Sequence, residues 1–219
     1  MKSKLQTLTL SADDSSVVPR TIELLRRGEI VALPTDTVYG IMADGYNADA
    51  IEKLFVAKDR PSHKAIQLLI ADAADLERVA TYVSPAARVL AEKFFPGGLT
   101  LVVHARADLP KNLRADTDTI GVRLPDARLV REIARALGRP LAATSANRSG
   151  GANPRTAQDV LRDLDERIPL IVDGGATPDS VPSTVLDCTQ ELPRVLRAGA
   201  LPLDEIARAL NLPREMLHE

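Results

Sequence analysis

One cysteine, Cys188, stands in a chain of 219 residues. That leaves nothing for an internal disulfide or a multi-cysteine zinc site and suits a reducing compartment, so a cytoplasmic location is expected. Within the run Ser183-Thr184-Val185-Leu186-Asp187-Cys188 the thiol reads as a small core residue rather than a nucleophile. Tryptophan is absent and aromatic residues make up 3%, which speaks against repeated stacking platforms for single-stranded nucleic acid and requires an aliphatic core. Neither sign of charge dominates: 28 Lys plus Arg face 30 Asp plus Glu, a formal charge of -2. Such a field neither holds a duplex nor presses onto an anionic membrane. No apolar run approaches the length of a membrane helix, and the N-terminal MKSKLQTLTLSADD, interrupted by Gln6, Thr7 and Thr9, carries no expected export or insertion signal. The sequences GxxxxGK[ST], GxGxxG after a strand, HExxH and GxSxG are all missing, so any ATP site must be built another way. His63, His104 and His218 are too scattered to suggest a metal cluster and read as surface or packing residues.

What the chain does have is core material, 45% apolar residues, with 26% charged residues for a soluble surface. Its length fits one domain over residues 1–219 with a core at about 15–200. Apolar periodicity alternates between helix-like and strand-like segments joined by short links, which predicts an α/β class with a twisted, mixed sheet and helices packed around it. Helices are expected at residues 21–27, 49–58 with Asp49 as N-cap, 84–94 with Pro85 in the first turn, 126–137 closed by Gly138, and 156–164. Strands are expected at 29–33, stopped by Pro34, and at 65–70, 99–103, 119–124, 140–144, 168–173, 184–187 and 194–197. The polar stretch 106–118 reads as a mobile connection.

Four polar loops adjoin these elements, where a binding cleft needs them. In Pro34-Thr35-Asp36-Thr37-Val38-Tyr39-Gly40, hydroxyls and a carboxylate either cap the following backbone or form a pocket for a small polar ligand. Lys58-Asp59-Arg60-Pro61-Ser62-His63-Lys64 offers Arg forks and Lys point charges that suit a polyphosphate, though a solvated basic loop at a helix C-terminus has the same composition. Thr119, Gly121 and Arg123 share one face of a strand; Arg123 is either an edge ion pair or a carboxylate ligand in a cleft, and spacing does not separate the two. The small-residue run from Ala142 to Pro154 places Ser145 and Asn147 at a strand end, where amides and hydroxyls can bind an anion without a Walker loop.

In the order TDTVYG, KDRP, GGLT, GVRLP, TSAN, PST, LRAG, these segments resemble the YrdC/Sua5 family over roughly residues 21–199. The resemblance implies a YrdC-like domain with a concave cationic cleft, of the short bacterial type that lacks the C-terminal Sua5 domain. It implies a nucleotidyltransferase that makes L-threonylcarbamoyladenylate and pyrophosphate from L-threonine, bicarbonate or CO2, and ATP. That adenylate serves N6-threonylcarbamoyladenosine formation at position 37 of ANN-reading tRNAs. Mg2+ is expected to help neutralise the departing pyrophosphate, with its ligands unspecified. The implied partners are a downstream threonylcarbamoyl transferase complex and, indirectly, tRNA, with no membrane.

Residue by residue, the family's KxR element falls on Lys58 and Arg60 and its SxN element on Ser145 and Asn147, the implied catalytic set. ATP contacts fall on Arg60, Lys64, Thr119, Ser145, Asn153 and Arg197. Threonine contacts fall on Thr37, Arg123 and Ser183, with main-chain contacts near Leu69 and Ala143. Lys64-Ala65 replaces the family's usual Asn-Pro pair. With no Sua5 domain before Glu219, closure of the cleft is expected from residues 106–118. Two rival readings are an RNA-binding or ribosome-maturation protein using the same cleft, and a carbamoyl-transfer module of the hydrogenase-maturation type.

Overall fold

A computed structural model describes residues 5–178 and 181–217; His218 lies outside them, as do the first four residues of the N-terminal segment. The strands β1 (Leu8–Ser11), β2 (Val31–Leu33), β3 (Gly40–Asp44), β4 (Gln67–Leu69), β5 (Ala80–Tyr82), β6 (Leu99–Ala105), β7 (Thr119–Arg123), β8 (Leu141–Ser145), β9 (Leu170–Asp173), β10 (Thr184–Asp187) and β11 (Arg194–Arg197) join one sheet. Its order is β1-β9-β2-β3-β8-β4-β7-β6-β10-β11, with β5 added beside β6. The sheet is mixed, parallel at pairs such as β4/β7 and antiparallel at pairs such as β4/β8.

The helices α1 (Val17–Arg26), α2 (Ala48–Lys58), α3 (Leu76–Val79), α4 (Pro85–Phe94), α5 (Arg128–Leu137), α6 (Ala157–Leu164) and α7 (Leu203–Leu210) cover it unequally. Side chains alternate across a strand, so Ile30 and Ala32 join one core, with Leu54 of α2 and Val160 of α6, while Val31 and Leu33 join the other. That second core holds Leu25 of α1 and Val130 and Ile133 of α5 together with Leu69, Leu141 and Ala143. Gln67 and Arg123 are paired opposite Ala143 and Leu69, hence on the same face, beyond the apolar cluster that α1 and α5 cover. There polar side chains replace the apolar ones, and the sheet forms the floor of a cleft.

The local caps explain most boundaries. Ser84 and Thr156 accept amide protons at the starts of α4 and α6, and Gly138 closes α5 in the left-handed region. The N-cap of α2 is Asn47, whose side chain accepts from Ala50 N at 3.0 Å, not Asp49 as the sequence suggested. Three strands go unseen in the sequence. β3 is buried on both faces and so shows no alternation; β1 is a short edge strand; β5 has only three residues. Residues 106–118 are not a loose connection: Leu109 and Leu113 are buried, Ile66 N donates to Leu113 O at 3.1 Å, and Asn112 Nδ2 donates to Ala48 O. Their closing role therefore has no support in the packing. Cys188 is buried just after β10, and burial pushes its thiol up to about 12, as a core residue requires.

Candidate active site

The open half of the sheet carries a cavity of about 350 Å3, and the polar loops singled out in the sequence converge on it. Thr37, Arg60, Arg123, Ala143, Ser145, Asn153, Ser183 and Arg197 all line it. Three of these are guanidinium groups, and no carboxylate is among the described lining residues. Lys64, Thr119 and Leu69 are not part of the wall. Lys64 is exposed and lends its carbonyl to Arg60 Nε, Thr119 bonds through its hydroxyl to Thr117, and the Leu69 side chain is packed in the core.

Lys58 corrects the expectation of a phosphate-facing cation. It is only 1% exposed and its ammonium donates to Ser145 O, Asn147 O and Asn147 Oδ1. Those bonds use its three protons on the back of the loop that follows β8. Burial and the nearby Arg60 push its pKa down to about 7. Asn147 is buried as well: its Oδ1 accepts from Ser145 Oγ at 2.6 Å and its Nδ2 donates to Gly151 O at 2.8 Å. Ser149 N donates to Lys58 O, and Arg148 pairs with Asp59. The KxR and SxN segments thus interlock, with Lys58 and Asn147 inside and Arg60 and Ser145 at the cavity.

Arg123 is ion-paired, on an interior strand rather than an edge, and it also lines the cavity. It is 3% exposed, donates from Nε to Gly97 O at 2.9 Å and from its terminal nitrogens to Thr37 Oγ1 at 2.9 Å and Asp36 Oδ1 at 2.6 Å. Of five guanidinium protons, two have no hydrogen-bond partner among the described residues. Burial lowers its pKa while Asp36 raises it. Removing the carboxylate would strand a buried cation, so Asp36→Ala should cost about 3 kcal/mol in urea unfolding, with Asp36→Glu recovering part of it. Thr35, by contrast, caps its own turn, accepting from Thr37 N and Val38 N and donating to Val38 O.

Sequence reasoning missed Asp36 as the partner of Arg123, and Gln67 and Thr100 as lining residues. The available signal for Gln67 was its position as the one polar residue in the apolar run Ala65 to Ile70.

A family model named Sua5/YciO/YrdC, described as "Telomere recombination", matches residues 23–199. The chain belongs to that family. Among curated relatives of this YrdC-type chain, threonylcarbamoyl-AMP synthase of Bacillus subtilis is 41% identical over 165 residues, 75% of this chain and 47% of the relative. The protein of the same name from Pyrococcus abyssi is 39% identical over 149 residues, 68% of this chain and 44% of the relative. The chain therefore spans about half the length of these curated relatives. The crystal structure of P. abyssi Sua5 complexed with L-threonine superimposes with a TM-score of 0.89 at 35% identity, covering 93% of this chain and 60% of that one. The α/β fold is thus that of the YrdC/Sua5 domain.

Proposed function

We propose that this YrdC-type chain is an L-threonylcarbamoyladenylate synthase. The observation that carries the reading is the likeness to a Sua5 structure solved with L-threonine, joined to a cavity that presents three arginines. In the proposed reaction the amine of threonine forms a C–N bond to CO2 with loss of a proton to solvent, or to bicarbonate with loss of water, and becomes a carbamate. A carbamate oxygen then bonds to the α-phosphorus of ATP as the bond to pyrophosphate breaks.

No enzyme nucleophile is needed; the protein brings two anions together and stabilises the charge on the leaving group. Arg60 and Arg197 face the nucleotide phosphates, and Ser145 and Asn153 hold the rest of the nucleotide. Arg123, with Thr37 behind it, takes the threonine carboxylate on its remaining protons. Ser183 and the main chain at Ala143 complete that subsite. Lys58 and Asn147 act by positioning the loop after β8. Mg2+ enters as part of MgATP, carried by phosphate oxygens, since the cavity's described walls are donors rather than carboxylates.

The adenylate would pass in the cytoplasm to a threonylcarbamoyl transferase complex, which meets the tRNA. Purified protein given L-threonine, bicarbonate and MgATP should release pyrophosphate in a threonine-dependent way. Arg60→Ala should lose that release while keeping its far-ultraviolet dichroism. Release equal with and without threonine, or none in the parent, would overturn the proposal.

A further inference from the structure

The floor of the cavity carries a hydrogen-bond chain that crosses five neighbouring strands. Arg197, at the end of β11, donates from NH2 to Ser183 Oγ at 3.2 Å. Ser183 Oγ lies 2.8 Å from Thr100 Oγ1 on β6, and Thr100 Oγ1 lies 2.9 Å from Gln67 Oε1 on β4. The last step reaches over β7, and Gly121 is the residue it passes. A Cβ at Gly121 would stand 3.2 Å from Thr100 Cγ2 and 3.5 Å from Gln67 Cβ, so a larger residue would wedge between the two.

The direction of this chain follows from its last step. Thr100 spends its one proton on Gln67 Oε1, so between the two hydroxyls it is Ser183 that donates to Thr100, while Ser183 Oγ accepts from the Arg197 guanidinium. The amide oxygen of Gln67 is thus the end that faces Thr100. The amide nitrogen, with two protons, then finds no hydrogen-bond partner among the described residues, on a side chain that lines the cavity. A half-buried carboxamide with an unused donor end in a ligand cavity is paired with solvent or with the ligand.

Its neighbours decide what that ligand group is. Gln67 is directly opposite Ala143 and is linked through Thr100 to Ser183, both on the amino-acid side of the cavity in the proposed reaction. The amino-acid substrate presents acceptor oxygens there, on its carboxylate and on the carbamate formed from its amine. We infer that Gln67 binds the amino-acid substrate by donating from Nε2 to one of these oxygens, and that Thr100 is a positioning residue that fixes the orientation of the amide. The inference rests on the synthase reading for the identity of that substrate. It also ties the amino-acid subsite to Arg197, which faces the nucleotide.

Gln67→Glu keeps the acceptor for Thr100 and exchanges the donor for a negative charge; Gln67→Leu removes both. The KM for L-threonine in pyrophosphate release should rise about 10-fold or more in Gln67→Leu and further in Gln67→Glu, with the KM for ATP within about 2-fold of the parent. Thr100→Val should raise the threonine KM by a smaller factor, and Thr100→Ser, which keeps the hydroxyl, should restore it. Calorimetric titration with L-threonine alone gives the same comparison without turnover. A parent that turns over while both Gln67 variants keep its threonine KM would overturn the role of Gln67 and leave the synthase reading standing. A parent that neither turns over nor binds threonine would overturn both.

Discussion

Lys58→Met should abolish most of the proposed synthase activity while leaving the fold nearly as stable as before. The substitution matches the length of the side chain and removes the donor shared by Ser145 O, Asn147 O and Asn147 Oδ1. The turn that presents Ser145 to the cavity then loses the donor that ties three of its oxygens together, and ATP affinity and turnover should each fall, together by about 100-fold. Global stability should change by only about 1 kcal/mol, because the oxygens lose a partner while the cost of holding a charge in the interior disappears. A variant that unfolds outright, or one with parental turnover, would contradict this assignment.

The pH behaviour of the parent provides a second signature. With its pKa lowered from 10.5 to about 7, Lys58 is neutral in the folded protein and protonated in the unfolded chain across that interval. The unfolded state binds more protons there, so this group's contribution to stability rises with pH from about 7 to 10.5 and is smallest below 7. Over the same window the neutral amine has two protons for three oxygens, so the loop loosens and ATP affinity should fall. Stability and affinity moving in opposite directions, with both trends missing from Lys58→Met, can be read by urea unfolding and calorimetry in matched buffers.

The sequence revealed this site unevenly, for physical reasons. Loops at the ends of strands are polar for a reason that can be read locally, and those around Thr37, Arg60, Ser145 and Arg197 do meet at one cavity. Helices with caps in their own sequence, such as Ser84 before α4 and Gly138 after α5, were legible to within a residue or two. β3 was not, because a strand buried on both faces has no period to detect. The role of Lys58 was hidden for a related reason: charge in a loop suggests a ligand, and only packing shows that Ser145 and Asn147, 87 and 89 positions away, had already claimed it. The Arg123–Asp36 pair spans a similar distance, 87 positions, between groups that gave no local sign of each other. Gln67 was passed over because one polar residue in an apolar run is discounted as an interruption, whereas on this sheet it marks where helical cover ends.

Gly199→Ala should be the most damaging change of a single methyl group in the chain. The LRAG segment is readable as a motif, yet only the structure gives its glycine a reason: a Cβ there would lie 2.3 Å from Pro182 O, 2.5 Å from Ser183 C and 2.6 Å from Ser183 O. These are backbone atoms, and they have no freedom to retreat. Ala200 N donates to the same Pro182 O at 2.9 Å, and Arg197 grips Ser183 O through Nε at 3.1 Å and NH2 at 2.8 Å. One residue on, Thr184 N donates to Gly98 O, and the Thr184 hydroxyl exchanges bonds with Leu201. The methyl group must therefore push β11 away from Ser183 and break the latch that holds Arg197 over the cavity. A loss of about 4 kcal/mol in urea unfolding is expected, together with loss of threonine-dependent pyrophosphate release. Gly150→Ala is the control, since Gly150 has φ +87 but open space around its Cβ, so only backbone strain of about 1 kcal/mol should appear. If the two substitutions cost the same, close approach at Gly199 is not what orders the Arg197 side of the site.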